Sequence, residues 1–191
     1  MIDVKRQKTD ATFGYAAVET ALAEAFKTNQ RTLLSLRARL KSLQRAGLTP
    51  DNPGRGKVIR YRRGDVYDLS LAASLADFHL DAQAICAIVK MGYFASHWVP
   101  EIEAKPDEPD KADTHLFFGI LPTLFFGSPT VPAPYILLWG SEISAAKIAS
   151  YGGRVGLIDL TDLKRRVDDA LEAAKSRSMS RPVSRGAAVR K

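Results

Sequence analysis

Apolar residues at helical spacing dominate the first part of the chain. Those on one face predict a helix over residues 16–26: Val18, Ala21, Leu22, Ala25 and Phe26. A stripe of leucines then predicts a second helix that packs on the core: Leu33, Leu36, Leu40 and Leu43. We expect Thr28 to cap this second helix at its N-terminus and Gly47 to stop it after Ala46.

A short hairpin and two more helices are predicted next. Residues 51–56, "DNPGRG", have the composition of a loop, and "KVIRY" at 57–61 alternates polar and apolar residues like a half-buried strand. Asp65 and Asp81 are each expected to open a helix. The order helix, turn, helix, hairpin, helix, helix predicts a winged helix-turn-helix domain over residues 16–92, preceded by a flexible arm over residues 1–15.

The pattern changes after residue 100. Residues 100–113, "PEIEAKPDEPDKAD", are acidic and proline-rich and lack apolar periodicity, so they predict a linker. The apolar runs at 116–126, 135–139 and 154–160 predict strands, with helices over 141–151, capped by Ser141, and over 161–174. In the last helix Leu163, Val167 and Leu171 are expected to point inward. The predicted fold class is therefore α+β: the winged domain, a small α/β domain at 114–174 for dimerisation or partner binding, and a disordered basic tail at 175–191.

The charge is concentrated in one segment. The net charge of the whole chain is +7, but residues 27–63 alone carry 11 basic side chains against the single acidic residue Asp51. Such a density of positive charge indicates an anionic partner. A solvated helix face is the ordinary alternative for any one charged helix. The basic segment contains one aromatic residue, Tyr61, and so offers little for stacking unpaired RNA bases; we therefore favour duplex DNA over RNA.

The second helix has the surface that a helix in the major groove needs. Opposite the leucine stripe stand Arg31, Leu34, Ser35, Ala38, Lys41, Ser42 and Arg45. Small residues in the middle permit close approach, and long polar residues in the first turn reach base edges. The candidate DNA-binding residues are Asn29, Gln30, Arg31, Ser35, Arg37, Lys41, Arg45, Arg55, Lys57, Arg60, Arg62 and Arg63.

Two stretches resemble the winged helix-turn-helix domain of MerR-type transcriptional regulators. They are "RTLLSLRARLKSLQRAGLTP" and "GRGKVIRYRRGDVYDLSLAASLADFHLDAQAICAIV". The matching residues are Thr32, Arg45, Gly47, Leu48, Pro50, Gly56, Tyr61, Asp65, Leu80 and Ile85. The resemblance spans about residues 16–90 and implies DNA binding. The chain departs from the family pattern in three ways: a longer recognition helix without the aromatic pair, an acidic linker in place of the long dimerising helix, and no metal-sensing cysteine.

Catalytic and metal-binding patterns are not found. His79, His97 and His115 are isolated from one another, and Cys86 is the only thiol, so spacing alone assembles no zinc site. "GGRVG" at 152–156 precedes a predicted strand, whereas phosphate loops follow one. We therefore expect no enzyme, no cofactor and no metal.

Together these patterns predict a sequence-specific protein that binds double-stranded DNA, most simply a bacterial or phage-type transcriptional regulator. A homodimer is expected, and the C-terminal domain is a possible site for another protein. The expected location is cytoplasmic and nucleoid-associated, because the N-terminus lacks an apolar signal segment and the longest apolar stretch is interrupted by Gly119 and Pro122. Two alternatives stay open: a DNA-packaging or segregation protein that recognises a DNA site, and a protein-binding adaptor.

Overall fold

The computed structural model of the chain describes residues 11–48, 58–92, 94–105, 111–120, 135–151 and 155–179, without the side chains of Arg31, Ser178 and Met179. Its α-helices are α1 Tyr15–Ala25, α2 Gln30–Arg45, α3 Arg63–Leu75, α4 Ala82–Gly92, α5 Val99–Glu103, α6 Ala145–Ser150 and α7 Leu160–Met179. Its strands are β1 Leu116–Ile120, β2 Tyr135–Trp139 and β3 Gly156–Asp159. The protein is thus a mixed α+β fold, as the sequence predicts at that level.

The predicted second helix forms, but its cap is one residue later than expected. Asn29, not Thr28, caps α2: its Oδ1 accepts from the Thr32 amide at 3.0 Å, and Thr32 Oγ1 accepts from the Asn29 amide at 2.8 Å. Thr28 is instead part of the end of α1, where its hydroxyl donates to the Ala23 carbonyl. An asparagine carbonyl and a threonine hydroxyl both reach free amides in the first turn, so composition alone does not choose between neighbours.

The helices α1 and α2 end in the same way. Beyond each, one residue takes the left-handed conformation: Lys27 (φ 49°) after α1 and Gly47 (φ 87°) after α2. In both, the next residue's amide donates back to a carbonyl in the last turn, from Thr28 to Ala23 and from Leu48 to Leu43. These bonds satisfy carbonyls that the helix leaves open. The expectation that Gly47 stops α2 is confirmed.

The predicted hairpin is not seen in the described residues. Val58, Ile59 and Arg60 have no regular strand structure, and the predicted tip at residues 51–57 lies outside the described ranges. Tyr61 instead pairs with Phe13 through two backbone hydrogen bonds of 2.8 and 2.9 Å. Both side chains are buried, so burial and backbone pairing together fix the end of the predicted flexible arm. Phe13 therefore belongs to the folded core and not to a flexible arm, and the winged helix-turn-helix as a fold remains a prediction.

The helices α3 and α4 follow the sequence prediction closely. Asp65 lies in the first turn of α3 and accepts from the Arg62 amide at 2.6 Å, so α3 starts two residues earlier than expected. Asp81 accepts from the amides of Gln83 and Ala84 and so caps α4. Both helices contribute buried apolar residues to the core.

The sheet has the order β2-β1-β3, and both pairings are antiparallel. Phe118, at the centre of β1, lies opposite Leu137 of β2 and Ile158 of β3. The central strand buries Leu116, Phe118 and Ile120 on the face packed against α7. The remainder of the first predicted strand, residues 121–126, lies outside the described ranges. The helix predicted over 141–151 is shorter, and Ser144 rather than Ser141 caps it.

The last helix joins the two predicted domains. The helix α7 runs to Met179, five residues beyond its predicted end, so the predicted basic tail starts inside a helix; residues 180–191 are not among the described residues. Leu163, Val167 and Leu171 are buried, as predicted, and α7 packs along α1 and against α3. The predicted acidic linker also begins in α5, where Ile102 is buried. One hydrophobic core therefore extends from Phe13 to Leu171.

Candidate nucleic-acid interface

The structure sorts the eleven cations of residues 27–63 into three groups. Three arginines make ion pairs within the molecule: Arg37 with Glu19, Arg39 with Asp77, and Arg63 with Asp168 and Glu172. Five cations make no ion pair within the described part of the chain: Lys27, Lys41, Arg45, Arg60 and Arg62. Three have side chains that the structure does not describe: Arg31, Arg55 and Lys57.

The paired arginines hold elements together. Arg37 links α2 to α1 at 2.7 Å, and this hydrogen bond to Glu19 raises the pKa of Arg37. Arg63 Nη1 lies 2.8 Å from Asp168 of α7. Partial burial works to lower the pKa of Arg63, but the carboxylates of Glu172 and Asp168 outweigh it and raise that pKa. Because Arg63 is turned toward α7, we remove it from the proposed contact surface; Arg37 is half-exposed but already committed to Glu19.

The predicted outer face of α2 is exposed, and it has no acidic residue. Ser35, Ala38, Lys41, Ser42 and Arg45 are all exposed, while Leu36, Leu40 and Leu43 on the opposite face are buried. Leu33 is half-buried. The helix is 16 residues long and contains no Asp or Glu at all. Apart from the exposed Leu34, the large apolar side chains of α2 therefore lie on the opposite face from Lys41 and Arg45.

A second cationic strip lies beside the C-terminal half of α2. Tyr61 is completely buried, and its phenolic oxygen accepts from Gln44 Nε2 at 2.6 Å. Burial raises the pKa of Tyr61, which keeps the phenol neutral. Because side chains alternate along extended backbone, the neighbours Arg60 and Arg62 are turned outward and are exposed. The Gln44–Tyr61 bond thus places these two arginines next to the end of α2 that holds Arg45.

One cation of this surface was missed by the sequence analysis. Lys90, near the end of α4, is exposed and makes no ion pair within the described residues. Its Nζ lies 3.7 Å from the position that a side-chain carbon on Gly47 would occupy. Lys90 is therefore next to the C-terminal end of α2, 43 positions further along the chain than Gly47. No pattern in the sequence links the two. We call the surface formed by the residues below the cationic face: Gln30, Leu34, Ser35, Ala38, Lys41, Ser42, Arg45, Arg60, Arg62 and Lys90.

The polar side chains at the start of α2 have two different roles: one caps the helix and another faces solvent. The side chain of Asn29 is used in the cap, whereas Gln30 is exposed. A cleft with a volume of about 370 Å³ lies alongside, lined by hydroxyls and cations that include Thr28, Thr32, Ser35 and Arg39. Among the DNA-binding candidates in this turn, the side chain of Asn29 is used in the cap and that of Arg31 is not described. Gln30 is therefore the described candidate in this turn that is exposed and takes no part in the cap.

A second cluster of polar residues lies near the start of α7. His115 is buried, and its Nδ1 is 2.6 Å from Asp159 Oδ2. The other oxygen of Asp159 accepts from the Asp162 amide at 2.9 Å and so caps α7. This pairing, across 44 positions, could not be read from the spacing of the histidines. Its visible role is to join β1, β3 and α7.

Within the described ranges, no three His, Cys, Asp or Glu side chains are grouped closely enough to hold a metal ion. None of the helices in the same ranges combines the length and apolar character needed to cross a membrane.

No family model matches the chain, and no curated protein matches it.

Proposed function

We propose that this chain is a sequence-specific duplex DNA-binding protein, acting as a transcriptional regulator, in which α2 enters the major groove. The observation that carries the proposal is the cationic face: an exposed helix surface without a carboxylate, flanked by Arg60, Arg62 and Lys90. None of these flanking cations has an internal ion-pair partner in the described part of the chain. The resemblance of residues 16–90 to MerR-type domains supports the same proposal.

The dimensions of the proposed partner suit the helix. The major groove of B-DNA is about 12 Å wide, and an α-helix with its side chains is about 10–12 Å across. Ser35, Ala38 and Ser42 are small, so the middle of α2 can approach the floor of the groove. Lys41, Arg45 and the strip beside them are then near the phosphates that border it. Each phosphate neutralised releases counterions, which makes the binding depend on salt.

The first test is a selection of bound duplexes from a random pool, followed by affinities of the best duplex and a scrambled duplex over a salt series. We expect the selected sequence to bind about a thousandfold more tightly than the scrambled one. Lys41→Ala should weaken both duplexes and reduce the salt slope by about 1. Lys147→Ala, an exposed lysine on α6, is the matched control and should change neither. Binding that shows no sequence preference, or no loss in the Lys41 variant, contradicts the proposal.

Two further substitutions distinguish recognition of the base sequence from contact with the phosphate backbone. Gln30 stands where a side chain reaches base edges, and glutamine pairs well with adenine; Gln30→Ala should therefore relax the preference at one or two base pairs. Arg62→Ala should weaken all duplexes by about the same factor, because phosphates carry no sequence information. Competition binding with single-base-pair variants of the selected duplex measures both effects. Equal behaviour of the two variants would show that these roles are wrongly assigned.

We further propose a homodimer, because helix-turn-helix proteins commonly bind paired half-sites. The symmetry of the selected sequence reports it: an inverted repeat with centres about 34–36 Å apart indicates two copies.

A further inference from the structure

One apolar side chain stands on the cationic face without a packing role. Leu34 is 65% exposed, whereas Leu36, Leu40 and Leu43 of the same helix are at most 6% exposed. The core therefore accounts for these three buried leucines and not for Leu34. A leucine that remains in water loses the free energy that its burial would provide.

The neighbours of Leu34 define what it can touch. Gln30 precedes it by four residues and Ala38 follows it by four, so the three lie in a row on one side of α2. Ser35 is exposed beside it. Lys41 and Arg45 continue the cationic face toward the C-terminal end. An apolar group in the middle of such a surface fits a partner that is anionic at its edges and carries apolar groups in its centre.

The major groove has this chemistry. Phosphates border it, and the 5-methyl group of thymine is the apolar feature that the bases present on its floor. We infer that Leu34 contacts the 5-methyl group of a thymine and so gives the protein a preference for an A·T pair at that position. The inference rests on the proposed function, because it presupposes that α2 lies in the groove.

The expected size of the effect follows from the burial of one methyl group. Removing a buried methyl group from an apolar contact costs about 0.8 kcal/mol, which is about a fourfold loss of affinity. Deoxyuridine differs from thymidine by this methyl group alone and keeps the same base pairing. Replacement of thymine by uracil is therefore a probe of the contact that leaves the hydrogen-bonding pattern of the duplex intact.

The experiment uses the full chain and the best duplex from the random-pool selection, synthesised once with thymine and once with uracil. We expect the unmodified protein to bind the uracil duplex about fourfold more weakly for each contacted methyl group. Leu34→Ala should bind the thymine duplex more weakly and lose the difference between the two duplexes. Leu34→Met, which keeps an apolar side chain of similar volume, should retain most of it. Leu157→Ala, an apolar residue on β3 that is 37% exposed, is the control and should keep the full difference.

Each result has a distinct meaning. If no duplex binds even at low salt, the proposed function fails and the inference fails with it; that result favours the alternative of a protein-binding adaptor with an acidic partner. If the protein binds DNA but does not distinguish thymine from uracil, DNA binding stands and the role of Leu34 is refuted. A difference that persists in Leu34→Ala shows that another residue contacts the methyl group, which also refutes it. Circular dichroism of each variant checks folding. Because Leu34 is exposed, we expect its substitution to leave the fold unchanged.

Discussion

Lys27 occupies a backbone conformation that suits glycine. Its φ of 49° lies in the left-handed region, where a side chain costs about 1–2 kcal/mol. The position cannot change conformation without losing the two hydrogen bonds that end α1, from the amides of Lys27 and Thr28. The structure therefore holds a small amount of backbone strain at the turn between α1 and α2.

We expect Lys27→Gly to stabilise the protein by about 0.5–1 kcal/mol, because relief of the strain exceeds the added freedom of the unfolded chain. Urea unfolding monitored by circular dichroism measures the difference. The matched variant is Gly47→Ala at the end of α2, where φ is 87° and an added side-chain carbon meets nothing closer than 3.7 Å. It should destabilise by about 1 kcal/mol for the backbone reason alone. The same sign of change in both variants would contradict this explanation.

Asp68 is a half-buried carboxyl group. Burial, with a smaller effect of the nearby Asp65 carboxylate, raises its pKa to about 6, although the Ala95 amide donates to it at 3.3 Å. In the unfolded chain the pKa is about 3.9. The carboxyl must therefore ionise at a cost in the folded protein, and the free energy of unfolding should fall as the pH rises from about 4 to about 6. It should then level off, after a total loss of about 3 kcal/mol from this group.

Asp68→Asn tests this directly. The amide oxygen can still accept from Ala95, and no charge has to be buried. We expect the variant to be more stable than the parent at pH 7.5, by about 2–3 kcal/mol, and nearly equal to it at pH 4. Denaturant unfolding at the two pH values gives the comparison. A stability change that is the same at both would mean that ionisation of Asp68 is not its cause.

At the scale of elements, Asp168 is the point where α7 is attached to α3. Its carboxylate accepts from Tyr67 at 2.5 Å and lies 2.8 Å from both Arg63 and Lys164. Burial and the neighbouring carboxylate raise the pKa of Tyr67, so the phenol keeps its proton and donates it. One carboxylate thus serves three donors from two helices.

Asp168→Asn should therefore destabilise the protein by about 1–2 kcal/mol, because the neutral amide is a weaker acceptor for Tyr67 and removes one of the two carboxylates that pair with each of Arg63 and Lys164. The chain provides a matched control in the next residue. Asp169→Asn makes the same chemical change at an exposed position and should alter stability by less than about 0.5 kcal/mol. Urea unfolding of both variants, at the same salt concentration, separates the two. Equal losses would show that the three contacts of Asp168 contribute little.

The elements show where sequence patterns suffice and where they fail. The leucine stripe of α2 and the inward residues of α7 can be predicted, because a helix with one buried face has apolar residues at regular three- and four-residue spacing. The pairing of Tyr61 with Phe13 could not be predicted, because Phe13 lies in a segment that has no strand pattern of its own. The cap of α2 was misplaced by one residue, since Thr28 and Asn29 both have the chemistry of a cap and only geometry chooses between them.

At the scale of the whole molecule, the cations can be counted in the sequence, but their contacts cannot be read from it. Arg63 has its partners on α7, 105 and 109 positions away, and no local pattern joins residues at that distance. Lys90 meets the end of α2 only because α4 packs beside it. The charge count of residues 27–63 is therefore larger than the charge that is free to meet a partner. The candidate site was predicted in outline, on α2, and its boundary depends on tertiary packing.

The position of α7 also bears on how the protein is made. Arg166 donates to the Ala25 carbonyl at the end of α1, across 141 positions, and Arg177 pairs with Glu24 across 153. While the chain emerges from a ribosome, the first helix is complete long before the helix that covers it has been synthesised. Until α7 has been synthesised, the surface of α1 that α7 covers remains exposed in the nascent chain to water and to chaperones. Contacts of such long range also slow folding, so refolding from denaturant should be limited by the closure of α7 on α1.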